Sequence, residues 1–219
     1  MYGKVYRKLV RFVMMKMLRK ELYFLKRVRN RLSVYYNLLR LRLYGVKYGQ
    51  HCIMHGHFYI HLFPTAKVKI GDNLYYSSGW GINALCANRQ GAIYATEDAT
   101  ITIGDNVGMS STVLWCHKSI TIGNHVKIGG NSILIDTDSH NIDYKIRRGQ
   151  WTDWGVSKPI VIEDDVFIGV NCIILKGVTI GARSIVAAGS VVTKSFPADC
   201  IIGGNPAKII RRIGPEDSL

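Results

Sequence analysis

The residues best suited to chemistry lie in one polar stretch of the chain, positions 134–159. It contains a single histidine, His140, with Asp136, Asp138 and Asp143 close by in sequence. An imidazole has an ordinary pKa of about 6.5, so it can accept a proton from a reacting group near neutral pH. A lone loop histidine is more often just a solvated side chain. The elements that hold this stretch therefore decide how it is interpreted.

A strict period of six residues surrounds the stretch. From Ile162 to Pro197 every sixth residue is Ile or Val, and in five of the six hexads the residue four places further on is small or β-branched, with Phe196 as the exception. An amphipathic helix needs apolar spacing near 3.6 and an ordinary strand spacing of 2, so this period fits neither. It predicts a β-solenoid in which three hexads close one triangular coil.

The same pattern, an isoleucine followed by glycine, recurs upstream at Ile70, Ile103, Ile122 and Ile128, with shifts of register between them. We therefore predict a solenoid over residues 49–203 and a C-terminal tail with a short helix over residues 204–219. The stretch 134–159 is a long loop between two well-formed coils, and long loops in compact domains are usually functional or disordered.

Positive charge is concentrated at the N-terminus. The first 50 residues hold 14 of the 29 Lys and Arg and only Glu21 of the 15 acidic residues, so they carry +13 of the net charge of +14. The nearly neutral remainder argues against a basic nucleic-acid groove. Residues 1–48 are predicted to be helical, with an imperfect apolar arc that includes Val5, Leu9 and Val13 opposite basic residues. This segment either lies on an anionic membrane surface or caps the open end of the solenoid, and the two interpretations are compatible.

Other sequence features bear on location and metal binding. Lys16, Arg19 and Lys20 interrupt the apolar N-terminal stretch before it reaches signal-peptide or membrane-spanning length. We expect a cytoplasmic protein, either dispersed or peripheral to the inner face of the membrane. Five scattered cysteines without a C-x-x-C pair suggest reduced thiols, and neither a zinc site nor a disulfide framework.

From about Ile101 to Arg211 the sequence resembles the hexapeptide-repeat acyltransferases related to galactoside and maltose O-acetyltransferases and to capsular or exopolysaccharide acetyltransferases. The resemblance rests on the hexads after Pro159 and on the closing motif Gly204-Asn205-Pro206-Ala207-Lys208. It implies a left-handed parallel β-helix, mainly β in class, and acetyl-CoA or a similar acyl-CoA as donor. It also implies a homotrimer whose active sites lie between neighbouring solenoids and are completed by the long loop.

The resemblance also implies roles for residues in the loop. His140 falls on the family's catalytic base. Independently of the resemblance, either Asp138 or Asp143 is close enough in sequence to orient it, as carboxylates do in other His-dependent sites. Galactoside-type enzymes have an asparagine as oxyanion donor one coil earlier, whereas the stretch Val107–Ser111 has none, so a serine hydroxyl or a backbone N–H would replace it.

Coenzyme A contacts carry over from the family position by position. Two departures from its pattern are Phe167 in place of a frequent tryptophan and Ala187 in place of a glycine. The positions that match the family's donor-binding residues are Val170, Ala188, Thr193, Lys194, Lys208 and Arg211.

The expected function is an acetyl-CoA-dependent O-acetyltransferase acting on a sugar or saccharide intermediate of surface polysaccharide assembly. The alternatives are an N-acyltransferase of an amino sugar, a serine acetyltransferase, a non-catalytic membrane scaffold, and a γ-carbonic-anhydrase-like enzyme with His117, His125 and His140 on one metal. The histidines lack the paired spacing that such a metal site needs, so no metal is expected. Acceptor contacts in the loop are expected from Tyr144, Arg147, Arg148, Trp151 and Trp154.

Overall fold

The structure is a computed structural model that describes residues 2–79, 81–86, 89–149 and 155–217. A 42-residue helix, α1 (Tyr2–Leu43), precedes three sheets of six, eight and six strands, which are parallel except for the last strand of the eight-stranded sheet. Each sheet takes one strand from each turn of the chain, which is the arrangement that three hexads per coil predict. The left-handed parallel β-helix with an N-terminal helix is confirmed.

The strands follow one another coil by coil. Coil 1 contains β1 (Lys47–Tyr48), β2 (Ile53–Gly56) and β3 (Phe58–Leu62), and coil 2 contains β4 (Lys67–Ile70), β5 (Tyr75–Ser78) and β6 (Gly91–Ala95). Coil 3 contains β7 (Thr100–Ile103), β8 (Gly108–Ser110) and β9 (Val113–Cys116), and coil 4 contains β10 (Ser119–Ile122), β11 (Lys127–Ile128) and β12 (Ile133–Ile135). Coil 5 contains β13 (Ile160–Ile162), β14 (Phe167–Ile168) and β15 (Ile173–Leu175), and coil 6 contains β16 (Thr179–Ile180), β17 (Ile185–Val186) and β18 (Val191–Val192). The chain ends with β19 (Cys200–Gly204) and β20 (Ala207–Arg212).

The first, second and third strands of the coils form sheets A, B and C, respectively. Register stacks equivalent hexad positions on one another, so that Ile120 lies between Ile101 and Ile160. Both phases of the hexad point inward: Ile168 and Cys172 are fully buried, as are their counterparts in the neighbouring coils. The core is therefore a column of Ile and Val with small residues beside it, as the period of six indicated.

Three corners join the sheets, and each is named here by the sheets it connects. The AB corner includes residues 71–74, 104–107, 123–126, 163–166 and 181–184, and the BC corner includes residues 129–132, 169–172 and 187–190. The CA corner includes residues 176–178 and 193–195. Two insertions enlarge these corners: residues 79–90 at the BC corner of coil 2, which the sequence analysis did not anticipate, and the long loop at the CA corner of coil 4. Because β12 extends to Ile135, that loop begins at Asp136, two residues later than predicted.

Helix α1 has two parts with different surroundings. Its C-terminal part covers the first coil: Leu41 is fully buried, and the Nδ2 of buried Asn37 donates to Met54 O and Gly56 O at 3.0 and 2.8 Å. By contrast, every side chain from Arg11 to Arg29 is exposed. Along this part, large apolar residues such as Phe12, Leu18 and Phe24 alternate with basic ones. No helix in the described part of the chain is long and apolar enough to cross a membrane.

The C-terminus forms a hairpin in which β20 returns antiparallel to β19 at the end of sheet B. A tail is predicted over residues 204–219, and the structure has this strand there instead, because β20 itself lies outside the hexad period. The predicted short helix is a single 3₁₀ turn, Pro215–Asp217.

Candidate functional site

The long CA loop stands on a rigid base. Its two arms form an antiparallel bridge between Thr137 and Ser157, and Lys158 N donates to Asp136 O at 2.8 Å. The Asp136 carboxylate is fully buried and accepts from the backbone N–H groups of His117 and Lys118, each at 2.7 Å. Asp136 therefore ties the start of the loop to the coil before it, which is a structural role. The His117 imidazole lies beside this anchor. Burial lowers its pKa, and the Asp136 carboxylate opposes that shift.

His140 lies four residues beyond this anchor, with an exposed side chain. Its backbone N–H donates to Asp138 O at 2.7 Å, which closes a tight turn. The returning arm passes so close that a Cβ at Gly155 would lie 2.8 Å from His140 O, so only glycine fits there. The loop thus holds the His140 backbone in place and presents its side chain outward.

The two candidate orienting carboxylates have other partners. Asp138 forms an ion pair with Lys176 Nζ at 2.9 Å. Asp143 caps the short helix α2 (Tyr144–Arg147), where its Oδ1 accepts from Lys145 N at 2.8 Å. Asp138 therefore stays near His140 with its charge partly neutralised, whereas Asp143 has a local structural role that the sequence analysis did not foresee.

Some of the residues predicted to contact the acceptor make contacts within the loop. Arg147 Nη1 donates to Asn141 O at 2.8 Å, and the Arg148 guanidinium lies over the Tyr144 ring, 4.9 Å from its centroid. Trp151 and Trp154 lie outside the described residues.

The BC corner forms a second candidate surface. Gly189 N donates to Val170 O at 2.8 Å, which stacks the turn of Ala188 directly on that of Val170. A Cβ at Gly169 would lie 2.6 Å from Ala188 N, so adjacent coils approach each other as closely as the backbone allows. The result is a column of small side chains, with Ala188 exposed and Val170 half-buried.

The predicted cationic contacts are distributed over two places. Lys208 pairs in register with Gly203, where a Cβ would lie 3.2 Å from Ala187 Cβ, so Lys208 lies at the C-terminal end of the BC column. Arg211 lies further along β20 and forms a two-pronged ion pair with Asp217, at 2.6 and 2.7 Å. This guanidinium lowers the pKa of Asp217 to about 2. Thr193 and Lys194 are instead exposed at the CA corner of coil 6.

Within one chain, His140 and the pair Val170 and Ala188 therefore lie at opposite ends of sheet C. The strand β12 that separates the two corners has three residues, which at about 3.3 Å per residue span roughly 10 Å. The structure brings the predicted residues into two groups, one at each corner.

A polar residue near the expected oxyanion position was missed by the sequence analysis. Ser111 is fully buried and its Oγ accepts from Gly79 N at 2.9 Å, so its hydroxyl is used internally. Ser110 instead accepts from Asn83 Nδ2 at 3.2 Å, so the BC insertion brings an asparagine to this coil from another part of the sequence. Nothing in the local sequence of Asn83 signals this, because it lies outside the hexad period.

The three histidines of the metal alternative are not gathered together. His117 and His140 are at CA corners, whereas His125 follows β10 at an AB corner. Among the described residues, no group of three or more His, Cys, Asp or Glu could hold a metal ion.

Comparisons with known proteins agree with this geometry. Residues 159–194 match the family model of the hexapeptide repeat of succinyl-transferase. A hexapeptide-repeat acetyltransferase from Vibrio cholerae O1 biovar eltor, crystallised with acetyl coenzyme A, is 32% identical over 92% of this chain and 90% of its own, with a TM-score of 0.54. The chain belongs to the hexapeptide-repeat acyltransferase family.

Two further relatives are named as galactoside acetyltransferases. The galactoside O-acetyltransferase of Lactococcus lactis subsp. lactis is 38% identical over 45% of this chain and 45% of its own length. A galactoside acetyltransferase crystallised with coenzyme A is 25% identical over 88% of this chain and 82% of its own, with a TM-score of 0.53. The chain spans between 45% and 62% of the length of the first curated relatives it matches.

Proposed function

We propose that this protein transfers an acetyl group from acetyl-CoA to a hydroxyl of a sugar or saccharide intermediate of surface polysaccharide assembly. The observation that carries the proposal is that one chain presents both an exposed His140, on a loop whose base is held by hydrogen bonds, and a corner of small residues suited to an extended thiol cofactor. The family relatives crystallised with acetyl coenzyme A or coenzyme A support the choice of donor.

The proposed chemistry needs one base. The His140 imidazole takes the proton from an acceptor hydroxyl, and the oxygen attacks the thioester carbonyl of the donor. The carbon–sulfur bond then breaks, and the imidazolium returns the proton to the departing thiolate. The products are an acetyl ester and coenzyme A, with no covalent enzyme intermediate. Asp138, which neighbours His140 in the turn, is the proposed positioning residue, with Lys176 holding its carboxylate.

The donor would lie along the BC column. Val170 and Ala188 leave room for its narrow arm, and Lys208 at the end of the column offsets the negative charge of its phosphates. Arg211 can contact the donor phosphates at this end only when its ion pair with Asp217 is broken. Thr193 and Lys194 are at the other corner, so in the proposed arrangement they contact a donor held by a neighbouring subunit.

This separation supports a homotrimer as the working assembly. His140 at the CA corner and the donor column at the BC corner would meet if the CA corner of one subunit faced the BC corner of the next. In a cyclic arrangement of three subunits, every CA corner of this kind faces a BC corner, so no contact surface is left without a partner. Each active site would then use residues of two subunits.

Loss of the base is the test of the proposed reaction. We expect His140→Asn to lower acetyl transfer by about 10²- to 10⁴-fold, measured as thiol release from acetyl-CoA with a panel of sugar acceptors. The control is His125→Asn, at an exposed AB-corner position with φ of 59° that asparagine tolerates. Full activity in His140→Asn would reject His140 as the base.

We propose in addition that the exposed part of α1, from Arg11 to Arg29, contacts an anionic membrane surface. Its exposed large apolar side chains, such as Phe12 and Leu22, gain by leaving water. The basic side chains among them can extend to lipid headgroups. This would hold the solenoid near membrane-bound saccharide intermediates and also fits a peripheral location on the inner face.

Vesicle sedimentation tests the membrane contact. We expect the full chain to sediment with vesicles of anionic phospholipid and much less with purely zwitterionic ones. Replacing Lys16, Arg19, Lys20 and Lys26 with Gln should abolish the difference, while Lys67→Gln with Lys69→Gln on sheet A should not. Equal sedimentation with both kinds of vesicle would contradict the proposal.

A further inference from the structure

A cavity of about 390 Å³ lies where helix α1 meets the BC corner of coils 1 and 2. Its volume is within the range of small-molecule sites. Residues of α1 form one wall, and the turn at His57 together with residues 78, 79, 82, 89 and 90 forms the other. Its polar side chains come from Arg29, Asn30, Ser33, His57, Ser78, Arg89 and Gln90.

The charge of this cavity has one sign. Arg29 and Arg89 both line it, and none of its lining residues in the described chain is acidic. Arg29 Nη2 makes one long hydrogen bond, to Gly81 O at 3.4 Å, and a guanidinium has five N–H donors. Two guanidinium groups without a carboxylate beside them are suited to phosphate oxygens, which they bind in a two-pronged manner.

The α1 wall of the cavity is held in place next to the first coil. Asn30 Oδ1 is buried and has no hydrogen-bond partner among the described residues. Ser33 Oγ donates to Asn30 O at 2.7 Å and accepts from Gly56 N at 3.0 Å, so this part of the wall is already fixed. The wall therefore presents cationic donors for an anion on a part of α1 that is held in place by hydrogen bonds.

The position of the cavity connects it to the proposed donor column. From the insertion, Leu85 O accepts from Asn131 Nδ2 at 2.9 Å, and Asn171 N donates to Gly130 O at 2.8 Å in the next coil. The cavity and the turns of Val170 and Ala188 thus lie on one continuous corner of the solenoid. They are about three to four coils apart, which at roughly 4.8 Å per coil is about 14 to 19 Å.

From this arrangement we infer that the cavity binds the phosphate or diphosphate group of a glycosyl acceptor, with Arg29 and Arg89 contacting the anion. The inference rests on the proposed function and narrows it, because it selects phosphorylated saccharides over free sugars. The phosphates of the donor are expected at the opposite end of the corner, near Lys208, so the cavity is not their site. The same chemistry serves a nucleotide-linked and a lipid-linked sugar.

Calorimetric titration of the full chain tests the inference, with inorganic pyrophosphate as the first probe. We expect saturable binding that persists when acetyl-CoA is saturating and that weakens about tenfold or more in Arg29→Gln with Arg89→Gln. Lys69→Gln, which removes one exposed positive charge on sheet A, should leave it unchanged. Uridine diphosphate and geranyl diphosphate are the next probes, and the tighter of the two identifies a nucleotide or a lipid as the source of the diphosphate.

Three outcomes would overturn the inference. They are a lack of binding of all three probes by protein that binds acetyl-CoA, displacement of pyrophosphate by acetyl-CoA, and an equal loss of affinity in Lys69→Gln. Failure of the proposed function looks different, because acetyl-CoA itself would then not bind, whatever the arginine variants do. A thermal unfolding midpoint equal to that of the unaltered protein checks that the double variant is folded.

Discussion

The AB and BC corners are built from the same repeat but differ at its third position. At the AB corner this position is Asp72, Asp105, Asn124 and Asp164 in successive coils. Each side-chain oxygen accepts from a backbone N–H in the coil before it, at 2.7 to 2.9 Å, so the coils are joined by a ladder of side chains. At the BC corner the third position is Gly130, Val170, Ala188 and Gly204, and no such ladder exists along these described turns.

The difference shows how one repeat can serve two purposes. A corner with the ladder satisfies its own backbone donors and needs no ligand. A corner with small apolar side chains leaves space along the backbone, which suits a long, narrow cofactor that lies against several coils. The third corner carries Lys176 and Lys194 at this position, together with the loop that holds His140. In the proposed function, stability and donor binding therefore belong to different corners of one solenoid.

Of the substitutions that test this difference between the corners, Gly169→Val at the BC corner is expected to have the largest effect on stability and binding. A Cβ there would meet Ala188 N at 2.6 Å, so the coils must separate. We expect a loss of roughly 2 to 3 kcal/mol in the free energy of unfolding, measured by denaturant titration, together with loss of acetyl-CoA binding. Gly189→Asn is the matched control in the neighbouring turn, because no atom lies within 4 Å and asparagine tolerates a φ of 74°. A Gly169→Val protein as stable as this control would contradict the close stacking.

A smaller effect is expected from Asp105→Ala in the AB ladder. The change removes the acceptor of the Asp72 N–H at 2.7 Å and leaves the coil–coil strand pairing intact. The site is exposed, so water replaces part of the bond, and we expect a loss of about 1 kcal/mol in the free energy of unfolding. Acetyl-CoA affinity, measured by calorimetry, should stay within about twofold. A large loss of affinity would show that the two corners are not independent.

The smallest effect concerns the charged end of the BC column. Because Arg211 depresses the pKa of Asp217 to about 2 in the folded protein, below the ordinary value of about 3.9, this pair stabilises the fold above about pH 4. The contribution is lost as the pH falls from about 4 through about 2. We expect Arg211→Gln to return the Asp217 pKa to its ordinary range in an NMR-monitored titration of its carboxyl group, whereas Arg212→Gln should change it much less. An unchanged Asp217 titration in Arg211→Gln would show that another group causes the shift.

The period of six predicted most of the fold. It predicted the stacked coils and both inward-facing phases, because burial of one apolar column requires an identical spacing in every coil. It could not predict the 79–90 insertion, the β19–β20 hairpin or the partner of Asn83, since these depend on contacts between distant segments. The α1 cap on the first coil was one of two interpretations, and the burial of Asn37 and Leu41 reveals a contact that helical periodicity alone does not.

The candidate site was less accessible to sequence reasoning than the fold. The resemblance supplied residue types and positions, and His140 does lie on a fixed loop beside Asp138. Sequence spacing did not reveal that Asp143 caps a helix, that Asp217 occupies Arg211, or that His140 and Ala188 lie at different corners. These facts arise from short hydrogen bonds and from the triangular cross-section, which separates residues that are near in sequence.

The assignment of binding to the BC corner is tested most directly by titrating acetyl-CoA into Ala188→Asp and Ala182→Asp. These alanines occupy the same hexad position in coil 6, one at the BC and one at the AB corner, where aspartate is already the usual residue. We expect Ala188→Asp to weaken acetyl-CoA binding by more than about tenfold, equivalent to about 1.4 kcal/mol, and Ala182→Asp to leave it unchanged. Equal affinities in the two variants, with both proteins folded, would contradict the assignment of the donor to the BC corner.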